Sequence, residues 1–536
     1  MFRSPVSRRV LLKTSTALLA SSALTRSVRA DDSPSGGRLV VAADSEPKNL
    51  NPGIVASNGV FFVASKVVEP LAETSFDGPD GLEPRLATSW EGSPDGLSAT
   101  FHLRQNVQWH DGKPFTSADV AFSAMNIWKP LQNLGRTVFA NLAAVDTPDS
   151  YTVIFRFSKP TPFQLVRNAL PVVTSVLPKH LYEGNDISTN PANLKLVGTG
   201  PFKFGDYKPG EYYLLSKNAN YWAKGEPKLD EIVFRVLPDR DSAGAALEAE
   251  EIDLAAFSAV PLADLDRLSK VDGIKVISKG YEALTYQLVV EINHRRAELA
   301  NLRVRQAIAH AIDKKFVVDT IFLGYAKAAT GPVPANAPQF YTSDVTRYDF
   351  DVAKANALLD EAGFAKGGDG KRFSLKLRPA PYFNETKQFG DYLRQALAAI
   401  GIDAVLINAD SAAHLKAVYT DHDFDLAVGP PVFRGDPAIS TTILVQSGIA
   451  SGVPFSNQGG YSNSELDHLI SKASETIDEA ERTELYKQFQ QIVTKDIPLI
   501  NVAEWGFITV ARDKVLNVSD NPRWAVSNWG TTALRA

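Results

Sequence analysis

A chain of 536 residues is too long for one hydrophobic core, so two or more lobes are expected. Its apolar share of 44 % and charged share of 22 % are those of an ordinary globular protein, and past the N-terminus no apolar run approaches the ~20 residues of a membrane span. The absence of cysteine excludes disulfides, thiol catalysis and cysteine metal sites, and a formal net charge of −5 argues against nucleic acid and anionic membrane surfaces as partners.

The first thirty residues read as a targeting segment. Ser7-Arg8-Arg9-Val10-Leu11-Leu12-Lys13 resembles a twin-arginine export signal, Ala17 to Leu24 is mildly apolar, and Val28-Arg29-Ala30 is a small-residue cleavage pattern. Cleavage is expected near Ala30. It removes six basic and no acidic residues and takes the net charge to −11. No cysteine is present to carry a lipid anchor, so the periplasm is the expected compartment. Residues 31–37 read as a flexible leader.

Arg38 to Ala43 reads as the first strand. Ala99–Leu103, Tyr151–Phe157 and Ile232–Leu237 follow, rich in β-branched and aromatic residues and separated by turns such as Asp77-Gly78, Asp95-Gly96 and Asp111-Gly112. The second half is richer in helices. Val304, Ala307, Ile308, Ala311 and Ile312 recur at helical spacing. Asp351 can cap a helix that ends near Gly363, and Tyr392, Leu393, Leu397 and Ile400 mark another, stopped by Gly401. Asn463–Ser474 and Asp478–Thr494 complete the set, with Pro498 beyond. Short strands at Phe373–Leu377, Ala404–Ile407 and Leu426–Val428 alternate with these helices, which suggests an α/β lobe at about 281–500.

No motif for catalysis stands out. Eight histidines form no His-Glu-x-x-His pair, no Gly-x-Ser-x-Gly elbow is present, and Gly198-Thr199-Gly200-Pro201 lacks the third glycine of a dinucleotide loop. Gly367-Gly368-Asp369-Gly370-Lys371 lacks phosphate-loop spacing. Asp421-His422-Asp423-Phe424-Asp425 alternates carboxylates, but Leu426 and Val432 stand where a calcium loop needs glycine and glutamate. No metal, cofactor or catalytic residue is assigned, and the chain is not read as an enzyme.

Several blocks occur in a specific order. They are Glu69-Pro70-Leu71, Pro84 to Glu91, Phe101 to Val120 with its His110-Asp111-Gly112 turn, Val197 to Phe204, Asn218 to Trp222, Arg303 to Asp313, Ala357 to Phe364, Tyr461 to Asp467 and Asp496 to Leu499. Together they resemble the bacterial extracellular solute-binding family 5, the peptide- and nickel-type binding proteins of ABC importers, over residues 38–512. His110 and Asp111 are read as turn architecture, with Thr116 or Ser117 capping the next helix.

The resemblance implies an α/β two-lobe clamshell with an extra subdomain. Lobe one would be 38–280, lobe two 281–500, and 501–536 a C-terminal return to lobe one. It implies a periplasmic, monomeric binding protein that takes a small solute (oligopeptide, opine, sugar or metal chelate) between the lobes and delivers it to a permease. A periplasmic hydrolase and a receptor-coupled solute sensor are the alternatives. Ser57, Asn58 and Gly59 lie in a segment that approaches the cleft in the family. Peptide binders of the family carry W-x-x-D-x-x-DP, whose first aspartate pairs with the peptide α-ammonium. Here Asp436-Pro437 fits the "DP", but Phe433 stands at that aspartate's position and Pro430 at the tryptophan's. Arg434 could instead grip a carboxylate. Tyr382, Phe433 and Trp505 are candidate aromatic walls.

Overall fold

In the computed structural model, residues 36–44, 46–55 and 57–535 are described; the export segment 1–30 and residues 31–35 of the leader lie outside them. Two mixed sheets organise the chain. The first runs, in spatial order, 274–277, 509–512, 254–255, 38–43, 231–236, 212–217 and 202–208. Arg38–Ala43 lies parallel to both of its neighbours. The second runs 326–328, 499–505, 285–292, 426–429, 373–379 and 402–406, and the pair Val432–Phe433 joins strand Thr285–Ile292 at its N-terminal end. A four-stranded antiparallel sheet, 87–92, 98–103, 152–157 and 142–149, forms an extra subdomain.

The helices start where capping chemistry allows. Asp351, Asn463 and Asp478 each accept a backbone N–H of the first turn of helices Val352–Glu361, Ser464–Glu475 and Glu479–Asp496. Thr116 and Asp119 form a capping box for helix Ser117–Ser123. Helix Asn384–Ala399 begins two turns before Tyr392; behind a polar first turn its buried apolar stripe starts at Phe389 and continues through Leu393 and Leu397.

Strand Thr285–Ile292 is buried along its whole length, as is Leu499–Trp505 beside it. Leu288, Val290 and Ile292 join the main core, while Val289 joins a second core with Phe340, Tyr486 and Phe489. A strand covered on both faces loses the two-residue alternation of apolar and polar positions, and here Gln287, Glu291, Asn501 and Glu504 are buried with their apolar neighbours.

The ordered blocks of the first lobe meet in space. Glu69 is fully buried and accepts hydrogen bonds from Tyr221 Oη (2.7 Å), Thr199 Oγ1 (2.9 Å) and Trp222 Nε1 (3.0 Å). His110 accepts the Gly198 N–H at Nδ1 (3.2 Å) and donates from Nε2 to the Gly200 carbonyl (2.9 Å). Burial holds this imidazole neutral, with its pKa lowered to about 4. Asp111 turns away to His180 (2.7 Å), so His110 and Asp111 are not paired with each other.

The Gly198 segment lies directly on the backbone of Val67, and a Cβ at 198 would overlap the Val67 carbonyl. Gly198→Ala is expected to cost about 1–3 kcal/mol or more by forcing these backbones apart. Urea unfolding measures it, and an unchanged midpoint would show that the contact yields freely.

Candidate functional site

The chain passes between the two large sheets at two places, residues 278–284 and 506–508. Both crossings run through one aromatic cluster. Phe507 packs edge-on against Phe257 (5.1 Å between centroids), Tyr281 (5.6 Å) and Tyr286 (4.9 Å). Tyr286 packs in turn on Phe383 (5.5 Å) and Trp505 (5.5 Å). Such ring pairs add to the stability gained by burial. The cluster forms the floor of a cleft between the lobes.

Above that floor is a cavity of about 590 Å³. One wall comes from helix Asn133–Val138 of the extra subdomain, which contributes Asn133, Leu134 and Thr137. The opposite wall comes from the connection after strand Leu426–Gly429, residues 430–455. Tyr382 and Phe383 lie between this cavity and a smaller chamber of about 200 Å³, which is lined also by Asp44, Asn58, Gly59 and Arg240. Asn58 Nδ2 donates to the Tyr286 hydroxyl (2.8 Å), bridging the two lobes at the base.

A second bridge lies on helix Phe163–Val173. Gln164, Arg167 and Asn168 of the first lobe reach Arg482 (2.6 Å), Glu479 (3.1 Å) and Asp436 (3.2 Å) of the second. Asp436 is wholly buried and takes a two-pronged ion pair from Arg482, Nη1 to Oδ2 and Nη2 to Oδ1, both at 2.8 Å. Among the described residues, no group of three or more histidine, aspartate or glutamate side chains could hold a metal ion.

The model of the bacterial extracellular solute-binding proteins, family 5, matches residues 81–448. The chain belongs to this family. It is 28 % identical over 491 residues to heme-binding protein A of Haemophilus influenzae, covering 88 % of each chain. It is also 28 % identical over 497 residues to the glutathione-binding protein GsiB of Salmonella typhi, covering 90 % of this chain and 92 % of that one. Among solved structures, the ABC transporter substrate-binding protein CtaP of Listeria monocytogenes superposes with a TM-score of 0.81 at 26 % identity, covering 93 % of this chain and 99 % of that one. Family 5 proteins are transport binding proteins rather than enzymes, and the two-lobe α/β fold with an extra subdomain is theirs.

The candidate residues sort by where this family 5 fold places them. Tyr382 and Arg434 line the larger cavity, and Asn58, Gly59 and again Tyr382 line the smaller chamber. Ser57 is exposed and caps helix Asn58–Ala64 through Val60 N, without lining either space. Trp505 packs into the aromatic floor and borders only a recess of about 10 Å³. Phe433 is 4 % exposed and belongs to the second core. Strand alternation sends Val432 and Arg434 toward the cavity and Phe433 away from it. Asp436 has its carboxylate committed to Arg482, Asn168 and the Ala438 N–H, and does not line the cavity. Arg240, Tyr286, Phe383 and the helix at 133–138 are the wall elements not foreseen. They come from distant segments, and no local pattern marks them.

Glu291 lies in the central strand behind the cavity, fully buried, with Tyr419 Oη donating to it at 2.9 Å. Burial raises its pKa to about 7. The folded protein keeps a proton there that the unfolded chain releases near 4.5, so between these values stability falls as pH rises. Glu291→Gln should remove that dependence and gain on the order of 3 kcal/mol on the wild type between pH 5 and pH 8. Parallel unfolding curves across this range would refute the buried proton. Arg482→Ala strands the Asp436 charge and should cost about 3–5 kcal/mol; chemical denaturation checks this, and a loss under 1 kcal/mol would deny the pair its structural role.

Proposed function

We propose that this protein captures a small peptide-like or related solute in the cavity between its lobes and delivers it to the membrane permease of an ABC importer. The observation that carries this reading is the composition of the cavity wall: one side belongs to the first lobe and its subdomain, the other to the second. A solute that touches both walls binds the closed arrangement better than the open one and shifts the population toward closure. The permease then reads the closed form. Relatives named for heme and for glutathione support a small solute without fixing which.

The lobes in this proposal are residues 38 to about 280, with the C-terminal return, and the segment between. The return to the first sheet comes at Thr509–Arg512, and strand Leu499–Trp505 stays in the second sheet. We therefore propose about 506, rather than 501, as the last boundary, which this strand pairing supports. Residues 1–30 are proposed as the export signal, cleaved near Ala30, with the periplasm as destination and a monomer as the working form. The family description as extracellular supports export, and among the described residues no helix is long and apolar enough to cross a membrane.

Freshly purified protein, denatured and refolded to strip any solute, provides the test. Mass spectrometry of the released fraction identifies the solute. Adding it back should reduce the radius of gyration in small-angle scattering and, at a hundredfold excess over Kd, raise the unfolding free energy by about 2.7 kcal/mol. A scattering curve that does not change counts against closure by the solute.

A further inference from the structure

The larger cavity has one formal charge on its wall. Arg434 is the single charged residue that lines it; the rest are apolar, aromatic or neutral polar. The backbone N–H of Arg434 is held by Ser440 Oγ (2.9 Å). Its guanidinium, by contrast, has no ion pair and no hydrogen bond among the described residues, and its electrostatic neighbours are the Tyr286 hydroxyl and the guanidinium of Arg523.

The buried guanidiniums of the fold are answered within it. Arg482 is answered by Asp436, Arg378 by Asp423, and Arg305 by the carbonyls of Leu299, Ala300, Asp496 and Ile497. Arg523 has Glu73 at 3.5 Å and the Pro171 carbonyl at 2.8 Å. A charge removed from water without a partner is costly, so buried charges are paired. Arg434 is half-buried rather than buried, is answered by no side chain among the described residues, and faces the cavity.

Tyr382 lines the same space with its ring, while its hydroxyl is out of contact with that space and lies within electrostatic reach of Glu291. The Tyr382 hydroxyl is buried and has no hydrogen-bond partner among the described residues. Burial raises its pKa to about 12, which keeps the proton on it and makes it a donor. Around these two residues the wall is apolar, with Leu134, Val432, Ile439, Ile443, Ile449 and Phe455. No carboxylate lines this cavity; Asp44 lines the smaller chamber that shares Tyr382 and Phe383 with it.

We infer that the larger cavity selects a solute that carries a carboxylate on a bulky apolar body, with the carboxylate seated on Arg434. The inference rests on the reading of this cavity as the solute site. A carboxylate accepts the forked N–H donors of a guanidinium two at a time, and a volume of about 590 Å³ is in the range of drug-sized ligands.

Three probes that share one body decide it by calorimetry: N-acetyl-Leu-Phe with a free carboxylate, its C-terminal amide, and Leu-Phe-amide with a free amine. The wild type should bind the acid about thirtyfold or more tighter than either amide, in line with the cost of leaving one member of a buried charge pair alone. Arg434→Gln should lose this preference, and Arg434→Lys should keep part of it. Thermal melts confirm that each variant folds; if Arg434→Gln does not, the wild-type comparison of acid with amide still decides. Equal binding of acid and amide, tighter binding of the amine, or an unchanged acid affinity in folded Arg434→Gln would overturn the inference and leave the solute-binding reading intact. No binding of any probe at millimolar concentration, with no solute released from the purified protein, would overturn both.

Discussion

The chain crosses between its two sheets only at residues 278–284 and 506–508, and both crossings are set in one aromatic cluster. This constraint governs everything above it. Tyr281, Phe257 and Phe507 interlock on the first-lobe side, and Tyr286, Phe383 and Trp505 on the second. The Tyr281 hydroxyl also binds Phe257 N (3.0 Å) and Thr509 Oγ1 (2.8 Å), which pins the returning strand beside the outgoing one. Opening this apolar floor would expose several large rings at once, at about 25 cal/mol for each Å². The far rim is different in kind. Gln164, Arg167 and Asn168 meet the second lobe through polar contacts, which water can replace at small net cost. Separation at the rim therefore costs less than separation at the floor. The Asp436–Arg482 pair lies wholly within the second lobe and survives such an opening, so its two charges are never separated.

The elements that announce themselves locally were legible in the sequence. Caps at Asp351, Asn463 and Asp478 mark helix starts because a short acceptor side chain at that place satisfies a free N–H. The ordered blocks were legible for a physical reason the structure supplies. Glu69, Thr199, Tyr221 and Trp222 come from three separate blocks and form one buried hydrogen-bond cluster, so they have to occur together. The strands 285–292 and 499–505 were not legible. They are covered on both faces, so no two-residue alternation marks them, and the buried polar residues Gln287, Glu291, Asn501 and Glu504 interrupt the apolar runs.

The site was legible only in part, and the errors are instructive. Phe433 and Arg434 were both candidates, yet neighbours on a strand face opposite ways, so one of the two had to leave the cavity. Asp436 has the residue type of a ligand-binding acid. Its partner Arg482 lies on a helix far along the chain, and no spacing rule connects the two. Ser57, next to two residues that do line the smaller chamber, is spent on the helix cap. The wall residues contributed by helix 133–138 belong to an extra subdomain whose sequence says only that it is well packed, with Trp128 stacked on Phe139 (5.8 Å).

Most of the larger cavity's wall comes from one stretch of chain, residues 430–455, which hangs between strand Leu426–Gly429 and helix Ser464–Glu475 and holds no long element of its own. The sheets, the aromatic floor and the rim contacts of helix 163–173 lie mostly outside it. Under the proposed reading of this cavity as the solute site, chemical selectivity and mechanical action are written in separate parts of the sequence. An engineer could graft a different connection between those two anchors, provided that Asp436 and its arginine are kept, and obtain a receptor that still shuts on its cargo but recognises another molecule.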